Sequence, residues 1–507
     1  MYLNDLLARL HEDPSSPKLL SPRGDNPWID RVVHHSGNVA PGSLFACVSG
    51  GKADGHRFAA SALDRGAVAL CVERALDLPV PQVVVPDVRR FMGRLAAVLY
   101  GEPAQRLTHV GITGTNGKST TTYMLRSVLQ SAGVKTGLLG TIVYHDGDKE
   151  LEADRTTPEN TDIQSFLARM VSNGCGACVM ETSSHGLEQG RIEGCRFDRG
   201  GFTNLSPEHL DYHGTEEAYF QAKKLLFEEY MKPSWKGASN RDDAYGRRLL
   251  EAYPENLVGY TREEPRPGDL GATLKSFDLT GMCLDLTLPD GRVLPEVHLP
   301  LIGTYNVENA LACAALARTL DIDGETIRRG LASMPQVPGR LERYSLPGGV
   351  TCVIDYAHTP DGLEKVLSTL RHVCRGQLWS VFGHGGERTT SHRKALGEHA
   401  GRLADRVVVT MDNPRSEDPG AIAEQIVGGI QGSGAATPWE VRLDRGEAIR
   451  FALDGAQPGD VVLVSGKGPE RNIIFADRLV PFEDRAVVLE WMQGHPSVGG
   501  EQDPHDC

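Results

Sequence analysis

The sequence predicts an α/β protein built as three successive blocks. Three observations carry this. The chain is 507 residues long, more than one core of roughly 100–200 residues organises. An apolar run near residue 107 leads into the Gly-rich turn TGTNGKSTTT and then into helix-like sequence. Farther on, GVTCVIDYA, QLWSVFG, DRVVVTMD and DVVLVSGKG alternate with helix-like stretches, the pattern of a mostly parallel sheet.

The first block, residues 1–105, holds short apolar runs (SLFACVSG, AVALCVE, PQVVVPD) split by turns and ends near GEPAQRL, which predicts a small α/β domain. The second, 106–335, holds the Gly-rich turn, the strand ACVME, the loop FTNLSPEHLDYHG and the helix VENALACAALARTL. The third, 336–495, begins at the turn-rich PQVPGRLER and carries the four alternating runs. Its polar and Gly-rich strand ends mark the edge where open α/β sheets bind ligands. The tail 496–507 is too polar to bury and is expected to be disordered.

Composition narrows the function classes. The net charge of −14 argues against a nucleic-acid or anionic-membrane binder, so an acidic substrate must meet locally placed Arg and Lys. No run approaches the roughly 18 apolar residues of a membrane span. The start MYLNDLLARLHEDP has no signal-peptide pattern. The expectation is a cytoplasmic protein without membrane insertion, working as a monomer. Ten cysteines, mostly inside apolar runs, read as free thiols of a reducing compartment. Cys175 and Cys178 form one CxxC; it is either a metal or redox pair or simply the start of the strand ACVME.

The Gly-rich turn carries the first chemistry. Its glycines let backbone N–H groups close on an anion, Lys118 can neutralise β/γ-phosphate charge, and the Ser119 hydroxyl can reach Mg²⁺. A strict phosphate loop wants Gly at 112, where Ile112 stands, so this is a variant. Glu181 closes the strand ACVME, where a carboxylate suits Mg²⁺. Asn204, His209, Asp211 and His213 follow within one loop, as ligands or as loop hydrogen-bonders. In EEAYFQAKKLLFEEY, Lys223 and Lys224 are adjacent, so only one faces a site. In the third block Arg388, Asp412, Arg415 and Glu470 fall at strand ends. Two arginines and two carboxylates suit a zwitterion with more than one charge of each sign.

In this order GITGTNGKST, RTTPEN, ETSSHGLEQGR, TNLSPEHLDYHG, the AKKLL helix, LIGTYNVENALA, VPGRLER, DYAHTPDG and DNPRSEDP resemble the Mur ligase family over nearly the whole chain. TGTNGK is that family's own form of the loop. The resemblance implies a uridine-nucleotide domain, a central ATPase domain and a C-terminal Rossmann-like domain that brings an amino acid. It also implies ATP-dependent amide formation through an acyl phosphate, adding meso-diaminopimelate to UDP-N-acetylmuramoyl-L-Ala-D-Glu for peptidoglycan. The implied ATP residues are Gly114, Thr115, Asn116, Gly117, Lys118, Ser119, Thr120, Asn306 and Asn309. For Mg²⁺ they are Ser119, Glu181, His209 and Lys223, the last as a carbamate; Lys118, Glu181, His209 and Lys223 carry the catalysis. The nucleotide-sugar peptide falls to Ser36, Thr156, Thr157, Ser183, Gln189 and Arg191. The amino acid falls to Arg388, Asp412, Asn413, Pro414, Arg415, Gly466 and Glu470, with Arg415 on the distal carboxylate and Asp412 and Glu470 on the ammonium.

Four positions in three strings depart from the family pattern: Thr389 and Thr390 replace an acid and a lysine, Pro469 a histidine, and Gly37 an arginine. His392 or Arg393 is the expected source of the missing positive charge. The departures leave open a diverged Mur-type ligase acting on another acceptor, or a catalytically silent ATP-binding scaffold. Folylpolyglutamate synthases share the central and C-terminal plan but lack a nucleotide-sugar domain ahead of the loop and a DNPR-type loop.

Overall fold

The computed structural model describes residues 1–10, 17–50 and 53–495, so the tail 496–507 lies outside the described residues. The chain divides into two compact units. One holds Met1–Thr273, Asp285–Val297 and Val307–Met334; the other holds Leu274–Leu284, His298–Asn306 and the chain from Pro335 onward.

The first unit opens with five short strands, β1 (Lys18–Leu20), β2 (Arg31–Val33), β3 (Ser43–Ala46), β4 (Ala67–Val72) and β5 (Gln82–Val84), ordered β1-β5-β4-β3-β2. Only β1 runs antiparallel to its neighbour. The apolar runs SLFA and AVALCV form β3 and β4, and Leu44, Leu70 and Cys71 are fully buried. The helix Val88–Leu99 packs Phe91, Met92 and Leu95 into that core, and the Asp87 carboxylate caps it by accepting from the Arg90 N–H at 2.9 Å.

The larger sheet contains β6 (Thr108–Thr113), β7 (Thr136–Leu139), β8 (Val143–His145), β9 (Glu150–Glu152), β10 (Ala177–Glu181), β11 (Phe197–Phe202), β12 (Met231–Asn240) and β13 (Leu257–Thr261). These lie in the order β13-β12-β11-β6-β10-β7-β8-β9. From β13 to β7 the neighbours are parallel; β8 and β9 pair antiparallel. Strands β14 (Leu270–Asp278), β15 (Gly281–Thr287) and β16 (Val293–Leu299) continue the sheet past β13. Strand β6 is central, between β11 and β10. Gly111 gives close packing there: a Cβ would stand 3.0 Å from Leu226 and from the Phe197 ring, so those side chains would have to shift.

His109 in β6 is fully buried, its ring centroid 4.2 Å from that of Phe197. Burial pushes its pKa down to about 3. An unfolded histidine takes a proton near 6.5, so between those values the native state binds fewer protons and stability falls as pH falls. The slope for one group is up to about 1.4 kcal/mol per pH unit. The denaturation midpoint is therefore expected to drop from pH 7 to pH 5, and His109→Leu to flatten that drop.

The second unit is built on β17 (Glu342–Ser345), β18 (Thr351–Asp355), β19 (Leu378–Phe382), β20 (Arg406–Val409), β21 (Trp439–Val441) and β22 (Val461–Ser465), in the order β17-β18-β22-β19-β20-β21. All pairs are parallel except β17 with β18. The four expected runs are β18, β19, β20 and β22. Their side chains alternate between two cores: Val353, Leu463, Val407 and Val409 face one; Cys352, Ile354, Val408, Val462 and Val464 face the other. Helices Pro360–Val373, Ser391–Leu403 and Pro419–Gly432 cover the first face, and Arg445–Gly455 and Asp484–Gly494 the second. The α/β architecture read from the sequence is the one observed. Among the described residues no helix is long and apolar enough to cross a membrane. The described cysteines are free, and Cys178 is buried in β10, so the CxxC is a strand start and not a bonded pair.

Candidate active site

Three adjacent strand ends of the first unit, those of β11, β6 and β10, carry the phosphate loop and its neighbours. The loop leaves β6 and enters the helix Lys118–Ser131. Gly114 (φ +142°) and Gly117 (φ +85°) adopt backbone that favours glycine. A Cβ at Gly114 would collide with the Thr203 hydroxyl, and one at Gly117 with Asn309 Oδ1. The chain after β11 clasps the loop. Thr115 N–H donates to Asn204 O at 2.8 Å, Asn116 N–H donates to Asn204 Oδ1 at 2.9 Å, and Thr203 Oγ1 donates to Asn116 O at 2.6 Å. Lys118 folds back over the loop, its Nζ 2.9 Å from Gly114 O and 2.7 Å from Thr115 O. Ser119 and Thr120 are buried on the first helical turn, and Asn306 and Asn309 are buried on the first turn of the helix Asn306–Thr319.

Lys223 is the second lysine at this loop. Thr215 caps the helix Glu216–Glu229 through the Ala218 N–H, and the helix turns Lys223 inward and Lys224 outward. Lys223 is 1 % exposed, donates to Gly114 O at 2.8 Å and lies 4.2 Å from the Tyr219 ring centroid. Lys224 pairs with Glu228 at 2.7 Å. Burial first, then the Lys118 charge, holds the Lys223 ammonium well below its ordinary pKa, which favours a neutral amine. Glu181 ends β10, buried, accepting from Thr141 N–H at 2.9 Å. His209 is exposed at a left-handed backbone position (φ 56°), its ring 4.8 Å from that of His185. Burial, then His209 and His213, push His185 down to about 4. Among the described residues no three His, Cys, Asp or Glu side chains gather as a metal site.

Beside Glu181 lies a hydroxyl–guanidinium cluster. Thr157 Oγ1 donates to Glu181 O at 2.9 Å and accepts from Ser183 N–H at 3.0 Å. Thr141 Oγ1 lies 3.0 Å from Glu181 Oε2 and 3.1 Å from Thr156 Oγ1. Arg191 donates to Gln189 Oε1 at 2.7 Å and Thr157 O at 3.3 Å. Thr156, Thr157, Ser183, Gln189 and Arg191 are thus brought together. Among the described residues no hydrogen bond ties Ser36 to them; its carbonyl accepts from Arg65 at 3.2 Å. The neighbouring Gly37 N–H donates to His35 Nδ1 at 3.1 Å, and a Cβ there would stand 2.9 Å from that nitrogen. A larger residue at 37 therefore requires His35 to swing away. The cluster's electrostatic centre is Glu159, a residue the sequence reading passed over although RTTPEN contains it. It lies 2.5 Å from Arg89, 2.8 Å from Arg155 and 3.5 Å from Arg191. Burial acts to raise its carboxyl, but Arg89 and Arg191 overcome this and hold it below its usual value. Arg155 also lies 3.9 Å from Asp154, so the guanidiniums are shared among carboxylates at this cluster.

The second unit places its candidate residues at the C-terminal ends of β19, β20 and β22. Asn413 Oδ1 accepts from Lys467 Nζ at 3.1 Å and from Ile474 N–H at 3.0 Å, and its Nδ2 donates to Glu470 at 2.8 Å. Lys467, fully buried, also donates to Glu470 at 3.0 Å and Asn472 O at 2.6 Å. Its signal was in the GKGPE string. Asp412 is buried, which raises its carboxyl pKa against the pull of Arg445 and Lys467. Gly466 (φ +110°) leaves room for it, since a Cβ would sit 2.6 Å from Asp412 Oδ2. Arg415 follows Pro414, adopts φ 52° and donates to Gly386 O at 2.6 Å. The Cβ position of Gly385 is 3.0 Å from Arg415 Nη1 and 3.4 Å from Arg388 Cγ, so both arginines border one glycine turn.

One expectation is corrected. Arg393 is not a free source of positive charge beside Thr389 and Thr390. It is 1 % exposed in the helix Ser391–Leu403, 2.9 Å from Glu417 and 3.2 Å from Gln425 Oε1. Helical periodicity turns position 393 inward, while Thr389 and Thr390 stay exposed and His392 is half-buried. Arg393→Ala is expected to act on stability, by about 3 kcal/mol in urea denaturation, the low end for breaking a buried pair because Glu417 is partly exposed. Pro469 packs on Gly339, whose φ of +64° and lack of a Cβ make room for the ring.

Comparison with known proteins identifies the family and the fold. Three family models match in order: "Mur ligase family, catalytic domain" over 29–100, "Mur ligase middle domain" over 112–317 and "Mur ligase, glutamate ligase domain" over 339–468. A UDP-N-acetylmuramoyl-L-alanyl-D-glutamate–2,6-diaminopimelate ligase of Geobacillus thermodenitrificans is 41 % identical over 493 residues, 96 % of this chain and 98 % of that protein. A solved ligase of the same description superposes with a TM-score of 0.65 at 31 % identity, covering 92 % of this chain and 95 % of that one. The MurF ligase of Thermotoga maritima, solved with ADP, shares the fold at 22 % identity, covering 92 % of this chain and 96 % of that one, with a TM-score of 0.62. With three ordered domain matches and near full-length identity of that order, the chain belongs to the Mur ligase family.

Proposed function

We propose that this chain is an ATP-dependent ligase that joins meso-diaminopimelate to UDP-N-acetylmuramoyl-L-Ala-D-Glu in peptidoglycan precursor synthesis. The observation that carries it is the meeting, in one unit, of the Lys118 loop, buried Lys223 and the Thr157–Ser183–Arg191 cluster. In this reading residues 1–105 take the uridine nucleotide, 106–335 take ATP and 336–495 take the amino acid. Arg191 and the hydroxyls hold the peptide end of the acceptor. Its terminal carboxylate attacks the γ-phosphorus and ADP leaves. Lys118 screens the approach of two anions. Asp412 and Glu470 hold an ammonium of the amino acid and Arg415 its distal carboxylate, leaving the other amino group, deprotonated, to attack the acyl phosphate and give up its remaining proton. The tetrahedral intermediate then loses phosphate, leaving the amide. Asn306 and Asn309 hold the adenine side.

Ser119 and Glu181 offer the hard oxygen donors that Mg²⁺ prefers, with phosphate and water completing the shell. His209 and a carbamate on Lys223 would hold a second ion. Bound there, Mg²⁺ would neutralise phosphate charge. A depressed lysine pKa is what carbamate formation requires, since only the neutral amine attacks CO₂. A monomeric, cytoplasmic enzyme belongs to the same proposal. The test is ADP release with each substrate left out in turn. The proposal expects ADP only when ATP and the UDP-muramoyl dipeptide are both present, with sustained turnover on adding diaminopimelate. Release indifferent to the acceptor would contradict it.

A further inference from the structure

The phosphate loop is not anchored by its own residues alone. Its clasp, residues 203–206, is an irregular segment after β11, and something must fix it in turn. A half-buried carboxylate and a fully buried hydroxyl do so from behind. Asp243 Oδ1 accepts from Tyr245 N–H and Gly246 N–H, both at 2.9 Å, capping the helix Ala244–Ala252; its other oxygen, Oδ2, accepts from Leu205 N–H at 3.0 Å. The fully buried Tyr260 side chain, in β13, donates its hydroxyl to Phe202 O at 3.0 Å, with Thr203 O at 3.3 Å. Between these tethers Thr203 and Asn204 make their bonds to Asn116 and Thr115, and Ser206 N–H donates to Thr115 Oγ1 at 3.1 Å.

We propose that Asp243 and Tyr260 are positioning residues for the nucleotide: they hold the 203–206 clasp, and through it the Thr115–Asn116 backbone, in the shape that receives phosphate. This rests on the reading of the loop as a nucleotide site. A capping aspartate needs one oxygen for its helix. The second oxygen of Asp243 bonds a backbone N–H 38 residues away, outside that helix. The bond is charge-assisted, so its loss weakens more than a neutral contact would. Without it the loop samples shapes that do not bind, and the apparent affinity for nucleotide falls by the competent fraction.

Asp243→Ser separates the two roles, because serine caps a helix well but has no second oxygen for Leu205. Tyr260→Phe removes the other tether and keeps the ring. The full chain is titrated with ADP and Mg²⁺ by calorimetry, and amide exchange of Thr115 and Asn116 is followed without nucleotide. The expected result for Asp243→Ser is an ADP Kd and an ATP KM about tenfold higher, the size expected for one charge-assisted hydrogen bond. The expected KM for the acceptor and for diaminopimelate is unchanged, and exchange at 115 and 116 is faster. Tyr260→Phe is expected to move the same readouts in the same direction, which keeps the test open if the serine variant does not fold. Unchanged exchange and unchanged Kd in a folded variant would overturn the proposal, as would an equal rise in the KM of every substrate. Wild-type protein that fails to bind ADP would instead sink the nucleotide reading, while the exchange data still decide whether the tethers hold the loop.

Discussion

Lys223→Ala is expected to lower turnover by about 10²–10³-fold, the usual consequence of removing a fixed charge that acts on the transition state. The side chain is buried, touches Gly114 O and cannot be replaced by solvent. Lys223→Arg is expected to fare no better, because a guanidinium stays charged and does not take up CO₂. If the carbamate reading holds, millimolar formate or acetate restores part of the alanine variant's activity by supplying the missing carboxylate. Depleting CO₂ from the buffer slows the wild-type protein. The variant should still fold, which circular dichroism checks. An arginine variant with wild-type turnover would remove Lys223 from the chemistry and leave it as a packed core lysine.

Arg415→Ala is expected to cut kcat/KM for diaminopimelate by about 30–1000-fold, or about 2–4 kcal/mol, the range for losing one or two charged hydrogen bonds to a carboxylate. The same change is expected to leave the rate with L-lysine nearly as it is in the wild-type protein, since lysine has no distal carboxylate to lose. Arg415→Lys is expected to recover only part of the loss, because an ammonium does not reproduce the planar fork. The backbone supports a dedicated role. Arg415 adopts φ 52°, held by Ile474 O accepting its N–H at 2.9 Å and by its Nη1 bond to Gly386 O. An equal fall for both amino acids would mean that Arg415 shapes the loop and does not read the substrate.

Much of this was legible in the sequence because the chemistry lies in contiguous strings. A phosphate loop needs strand, glycines and helix in immediate succession, and 107–125 shows them. The strand ends of the third block were visible because fully buried parallel strands read as short apolar runs. That only one of Lys223 and Lys224 turns inward follows from the helix, since adjacent positions point about 100° apart; the choice of Lys223 came from the family resemblance, and the structure buries that residue. What was not legible depends on long-range pairing. Glu159 gathers arginines from 89, 155 and 191, and Asp243 reaches Leu205 from the start of another helix. Neither relation has a local signature, because a carboxylate on a loop reads the same whether it is solvated or shared. In the sequence Arg393 reads as a replacement for a missing cation; helical periodicity turns it inward, but its partner Glu417 comes from the loop ahead of the helix Pro419–Gly432, and only packing brings the two together.

The most direct test places equimolar meso-diaminopimelate and L-lysine in one reaction with ATP, Mg²⁺ and UDP-N-acetylmuramoyl-L-Ala-D-Glu, and weighs the product by mass spectrometry. The account predicts one new nucleotide peptide, heavier than the acceptor by diaminopimelate less water, formed in step with ADP. A lysine adduct of equal abundance, or ADP without any adduct, would contradict it.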